Sequence, residues 1–181
     1  MIRGLIRLGL AGAGIGYAVD RLLAESAKGR APAPIRSMAV IDAPIERVWD
    51  ALVDIEGQPR WMHDMKDVRI DRDGPVGVGT TAEATVRIFG VAVTDPITIT
   101  EFKRPNRFAL THDGTFKGEG VFDLEAGADG STTIVRWDET IVPPVLPHLG
   151  ARIGAPILSS IFQADLERLR DVVEGTEPSA S

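Results

Sequence analysis

The chain has 181 residues, with 20 Lys and Arg against 26 Asp and Glu and a formal net charge of −6, a length that suits one domain and a short extension. Residues 1–36 carry six basic and two acidic groups, which leaves 14 basic and 24 acidic groups for residues 37–181. An acidic body with three His, in a chain with one Tyr, offers a phosphate backbone no surface, so nucleic acid is not an expected partner. With no Cys, the chain has no disulfide, no thiolate zinc site and no Cys nucleophile.

Residues 1–24 form a hydrophobic N-terminal segment in which Arg3 and Arg7 precede the uncharged run Leu8–Val19. As a helix that run is roughly 18 Å long, against about 30 Å of bilayer hydrocarbon. Three readings compete. The first is a single membrane anchor, with Arg3 and Arg7 before it and Arg21, Lys28 and Arg30 after it slightly favouring a cytoplasmic body. The second is a signal peptide cleaved near Ala24-Glu25-Ser26, which would secrete the body. The third is a helix packed on its own domain or on a partner. The anchor is the expectation, making the protein membrane-associated through residues 1–24. Residues 25–35, rich in Ala and Pro, suit a linker, and residues 175–181 a disordered tail. Gly12-Ala13-Gly14-Ile15-Gly16 opens like a dinucleotide fingerprint, but Tyr17 stands at the third glycine position and Ala31-Pro32-Ala33-Pro34 breaks any βαβ unit.

The body, residues 36–174, opens with an alternating strand, Ser37–Asp42, and a helix Pro44–Val53 that Asp42 is placed to cap. A second short helix around Gln58–His63 carries Trp61. Six strands follow: Val68–Arg72, Thr80–Phe89, Val91–Phe102, Arg107–His112, Phe116–Glu125 and Thr132–Ile141, separated by Gly, Pro, Asn and Asp turns. Short connections predict an antiparallel meander. A final helix, Leu146–Glu174, sets Leu149, Ile153, Ile157, Ile161, Leu169 and Val173 near one stripe, with Gly154 and Pro156 as kink sites.

Strand parity places Ala84 and Val86 on one covered face, together with Leu110, His112, Gly118, Gly120, Phe122, Trp137 and Glu139. A three-residue turn at Asp113–Thr115 pairs Leu110 with Gly118. A six-residue loop after Glu125 then sets Gly120 opposite Trp137 and Gly118 opposite Glu139. Small residues recur on the long helix at Gly150, Ala151, Gly154, Ala155, Ser159 and Ser160. A sheet face and a helix face both poor in volume leave a cavity that expects a guest.

The order strand, two short helices, six-strand meander and long C-terminal helix resembles the helix-grip fold of the START-like SRPBCC superfamily. Ile41-Asp42-Ala43-Pro44-Ile45-Glu46-Arg47-Val48-Trp49 with Asp54 resembles its opening, and Pro59-Arg60-Trp61 its second helix. The turn Gly77-Val78-Gly79, Phe102 to Pro105, and Gly130-Ser131-Thr132 also fall where that superfamily has them. The resemblance covers about residues 36–174. It implies an α+β fold with a seven-stranded antiparallel sheet wrapped around the long C-terminal helix and two short helices after the first strand. It further implies a function among polyketide cyclases and dehydratases, lipid carriers and quinone-binding proteins.

The expected function is binding, and transport, of a hydrophobic small molecule (lipid, isoprenoid or polyketide) at a membrane surface, with no cofactor. The expected cavity residues are Trp61, Ala84, Val86, Leu110, His112, Phe116, Gly118, Gly120, Phe122, Trp137, Glu139, Ile153, Ile157 and Ile161, with access near Trp61. The alternatives are a cyclase or dehydratase moving protons with His112 or Glu139, and a non-catalytic interaction module. His112 and Glu139 lie two strands and two residues apart in the expected register, roughly 12 Å, too far for a hydrogen-bonded dyad. That separation favours binding over catalysis. Each also has a structural reading, Glu139 as a strand-end residue paired with an Arg and His112 as a satisfied rim residue. Asp95 shares the covered face, although Pro96 is expected to turn it outward. His63-Asp64 are adjacent and point apart, His148 suits a structural place at the helix start, and the three His lack metal-ligand spacing.

Overall fold

The computed structural model describes residues 2–28, 30, 32–71, 73–88 and 90–175, with the backbone alone for 2–14 and 88. The expected strand ends Arg72 and Phe89, and residues 176–181 of the expected tail, lie outside the described residues. In chain order the elements are α1 (Ile2–Ala27), β1 (Ile35–Ile41), α2 (Ile45–Val53), a 3₁₀ helix (Ile55–Arg60), β2 (Met65–Ile70), β3 (Thr81–Ile88), β4 (Val91–Lys103), β5 (Arg107–Asp113), β6 (Lys117–Ala126), β7 (Thr133–Val142) and α3 (Pro147–Glu174). The seven strands form one antiparallel sheet in the order β1-β7-β6-β5-β4-β3-β2. The meander is thus closed at one edge by the first strand, and α3 lies across the covered face. This is the helix-grip architecture.

Local chemistry explains most boundaries. α2 buries Ile45, Val48, Trp49 and Leu52, the i, i+3, i+4, i+7 stripe of an amphipathic helix. Its N-cap is Pro44, with no side-chain cap, and the Asp42 N–H donates instead to the Glu174 carboxylate at 2.8 Å. The expected Asp42 cap is therefore replaced by a tie from β1 to the end of α3. The 3₁₀ helix starts where the Asp54 carboxylate accepts the Gly57 N–H at 3.2 Å.

Both hairpin registers around β6 sit two residues from the expected ones. Leu110 faces Gly120 and His112 faces Gly118, while Phe122 faces Trp137 and Gly120 faces Glu139. The β5–β6 turn falls later because Asp95 points inward and accepts the N–H groups of Thr115 at 2.7 Å and Phe116 at 3.0 Å. Pro96 therefore does not turn Asp95 to solvent; the β4 irregularity lies further on, between Ile99 and Glu101. The β6–β7 loop tightens through Gly127 N–H to Thr132 O at 2.9 Å, with Gly130 at φ 72. A shift of two keeps every side chain on its face.

The closed end of the grip holds the core. Trp49, Leu52, Ile55, Trp61, Phe108, Phe122, Leu166 and Leu169 are all buried there. Phe122 stacks on Trp137 at 4.9 Å between ring centroids, and Trp61 meets both edge-on at 6.5 and 6.4 Å. α3 also fastens the β1 edge: the Gln163 side chain accepts the Met38 N–H at 3.3 Å and donates to the Met38 carbonyl at 3.1 Å.

The leader is a helix that leans on its own domain. Asp20, 7% exposed, accepts the N–H groups of His148 at 2.9 Å and Leu149 at 2.8 Å, capping α3 from another element. That cap is needed because Leu146, in the left-handed region at φ 51, brings no capping side chain of its own. Among the described residues no helix is long and apolar enough to cross a membrane.

Candidate functional site: an apolar cavity with an acid–base pair

Between the sheet and the N-terminal half of α3 lies a cavity of about 890 Å³. Its sheet wall carries Ala84, Val86, Leu110, His112, Phe116, Phe122, Trp137 and Glu139, and its helix wall carries Gly154, Ile157, Ile161, Phe162 and Asp165. Leu23, Ser26 and Ala27 of α1, with Pro32, Ala33 and Ile35 after it, complete the wall. Ten of the expected cavity residues thus surround one space, and four do not. Trp61 is 1% exposed in the aromatic core and does not line the cavity, although its neighbours Gln58, Met62 and Asp64 do. Ile153 is 65% exposed on the outer face of α3, since a helix stripe drifts and its first members turn away from the sheet. Gly118 lies backbone-to-backbone against β7, where a Cβ would overlap the Thr140 carbonyl oxygen. Gly120 is covered by Glu139, whose Oε2 sits 2.5 Å from where a Cβ would be.

That last contact overturns the expected separation of His112 and Glu139. His112 Nε2 is 3.0 Å from Glu139 Oε1, and the Trp137 indole N–H donates to Glu139 Oε2 at 2.8 Å. The backbone offset is still two strands and two residues. Because the intervening strand has only Gly118 and Gly120 here, two long side chains meet across it. Glu139 is 4% exposed, so its carboxylate is held by these two donors in an apolar wall. Burial opposes a charged His112, but the hydrogen bond and charge of Glu139, with Asp95 and Asp113 behind it, outweigh burial and raise its pKa above the ordinary 6.5. Asp95 also lines the cavity. Burial works against its charge too, yet the N–H groups of Phe116 and Thr115 prevail and its pKa is lowered.

Several polar residues of the wall were missed, among them Lys117, Arg152, Asp165 and Gln58. Asp165, 3% exposed, accepts the His63 N–H at 2.9 Å and the Arg168 guanidinium at 2.7 Å, both through Oδ1. Burial dominates and pushes its pKa up. The signal was visible: Asp165 interrupts the apolar series Ile157, Ile161, Leu169, Val173. Gln58, in the 3₁₀ helix, also lines the space. His63 thus contributes its backbone to Asp165, Asp64 and His148 line the cavity separately, and no His–Asp unit forms at 63–64. Among the described residues no group of three or more His, Asp or Glu is arranged to hold a metal.

A sheet gripping one long helix around an apolar chamber defines a class of small-molecule-binding proteins and enzymes. Residues 33–174 match the family described as "Polyketide cyclase / dehydrase and lipid transport", and the chain belongs to it, within the SRPBCC superfamily. No curated protein matches its sequence. Among solved structures, the protein TTHA0849 from Thermus thermophilus superposes with a TM-score of 0.64 at 18% identity, covering 80% of this chain and 99% of that one. A conserved protein from Geobacillus kaustophilus gives 0.63 at 16%, covering 78% and 95%. The Zhui aromatase/cyclase from a Streptomyces species gives 0.60 at 15%, covering 82% and 97%. At these identities the likeness is one of fold.

Proposed function

We propose that the chain binds an apolar small molecule of lipid, isoprenoid or polyketide size in this cavity, and carries it at a membrane surface. The carrying observation is the cavity itself, about 890 Å³ and walled mainly by hydrocarbon, in the range of sites that enclose a small-molecule ligand. Cores are close-packed, and here Ala84, Val86, Ala151 and Gly154 border space that their small side chains leave unfilled. The membrane part of the reading is supported by exposed Ile15, Tyr17 and Leu22 on α1 and Ile153 on α3. Native mass spectrometry of the full chain purified from its own membranes tests it: a defined bound organic mass is expected. Protein that arrives empty and takes up no apolar fluorophore overturns it.

One observation favours a second reading, a cyclase- or dehydratase-like enzyme: the 3.0 Å pair of His112 and Glu139 on the cavity wall. With Nε2 held by Glu139, neutral His112 takes a proton at Nδ1 from the carbon beside a ligand carbonyl, and Glu139 stabilises the imidazolium that forms. The same proton returns to a departing hydroxyl, so water leaves and a carbon–carbon double bond remains. If the protein is this enzyme, His112→Ala or Glu139→Gln lowers turnover about 10²–10⁴-fold with probe binding nearly intact. If it is a carrier, neither change alters affinity more than modestly and no product forms.

A further inference from the structure

Four buried side-chain atoms lack a hydrogen-bond partner among the described residues: Ser37 Oγ, Trp49 Nε1, Gln58 Nε2 and Trp61 Nε1. Of these residues only Gln58 lines the cavity, and it is 1% exposed. A buried amide without a partner destabilises the empty protein, whereas an apolar residue of the same length would not. Its place is fixed by the 3₁₀ helix: the Gln58 carbonyl accepts the Trp61 and Met62 N–H groups at 3.0 and 2.9 Å, and the next N–H, that of His63, reaches Asp165. The segment that follows the 3₁₀ helix is thereby tied both to Gln58 and to Asp165 of α3, and Gln58, Met62, Asp64 and Asp165 all line the same cavity.

We propose that this corner is a binding subsite for an uncharged oxygen acceptor, a ketone or ester carbonyl on an otherwise apolar ligand, held by the Gln58 amide N–H. The inference rests on the cavity reading above and names the ligand class. The donor side of the amide is the one unmet, so the ligand group accepts. Asp64 and Asp165 repel a carboxylate there, and two cations close by are engaged, Arg168 with Asp165 and Lys66 with the His63 carbonyl. The ligand's polar end is therefore neutral, which excludes a free fatty acid seated with its head in this corner.

The test uses the full chain with 2-acetylnaphthalene, 2-ethylnaphthalene and 2-naphthoate as probes of matched shape. Gln58→Met is expected to weaken the ketone about fivefold while leaving the hydrocarbon as tight or tighter, the usual contribution of one hydrogen bond. In chain labelled with ¹⁵N at Gln, the unpaired amide resonance shifts on adding ketone and stays put with hydrocarbon, so the result stands even where the variant does not fold. 2-Naphthoate is expected to leave that resonance unmoved. Ketone and hydrocarbon that bind alike in wild type and variant, with the amide resonance unmoved, overturn the subsite alone. Probes that do not bind at all overturn the cavity reading, and the subsite with it.

Discussion

The two halves of α3 face the same sheet and do opposite things. Toward its C-terminus Leu166, Leu169 and Val173 are buried against α2 and the aromatic cluster. Toward its N-terminus Gly150, Ala151, Gly154 and Ala155 line an open space whose sheet wall includes Ala84 and Val86. The backbone geometry is one continuous helix on one sheet; side-chain volume alone separates core from chamber. Where the scaffold is close-packed it carries stability, and where it is starved of volume it leaves a chamber.

The comparison breaks most sharply at Leu169. Leu169→Ala is expected to cost about 2–5 kcal/mol in urea unfolding. Ile157→Ala, half exposed at 48%, is expected to cost under about 1 kcal/mol while weakening an apolar probe. Equal stability losses would mean that the two halves are packed alike. Next comes Gly120→Leu, which pushes the Glu139 carboxylate off its donors. It should cost about 1–3 kcal/mol, reduce probe affinity, and lower the His112 pKa toward 6.5 by NMR titration. Asp20→Ala removes the α3 cap and one tie of the α1 wall; a loss of about 1 kcal/mol is expected by thermal unfolding.

The smallest effect is in pH. His112 has a raised folded pKa, so its stabilisation is full below 6.5 and is lost as pH rises through the folded value. Glu139→Gln should flatten stability in that window. Asp165, also raised, loses stability as pH climbs from 3.8 through its folded value, and Asp165→Asn should remove that slope. A chamber-side slope unaffected by Glu139→Gln would mean that the pair is not what sets the His112 charge.

Strand parity and turn residues carried the fold, because a shift of two residues leaves faces unchanged and the Gly, Asn and Asp breaks are local chemistry. The long-range ties were not legible. Nothing near Asp95 announces that it holds a turn twenty residues away, and nothing in the leader announces that Asp20 caps α3. The His112–Glu139 contact was hidden for a different reason: backbone spacing does not measure side-chain reach, although Gly118 and Gly120 are visible in the sequence between them. Asp165 was readable as a charge inside an apolar stripe.

The amide clamp of Gln163 on Met38 limits how the chamber can breathe. One residue earlier Phe162 faces the cavity and lies 4.6 Å from the Trp137 ring, so the same turn of helix both lines the chamber and seals the sheet margin. Sliding α3 along β1 would release both hydrogen bonds and bare a strand edge ready to pair with another chain. The stretch of α3 before Phe162 lies outside this clamp, and it is there that Asp20 of α1 ties to the start of α3.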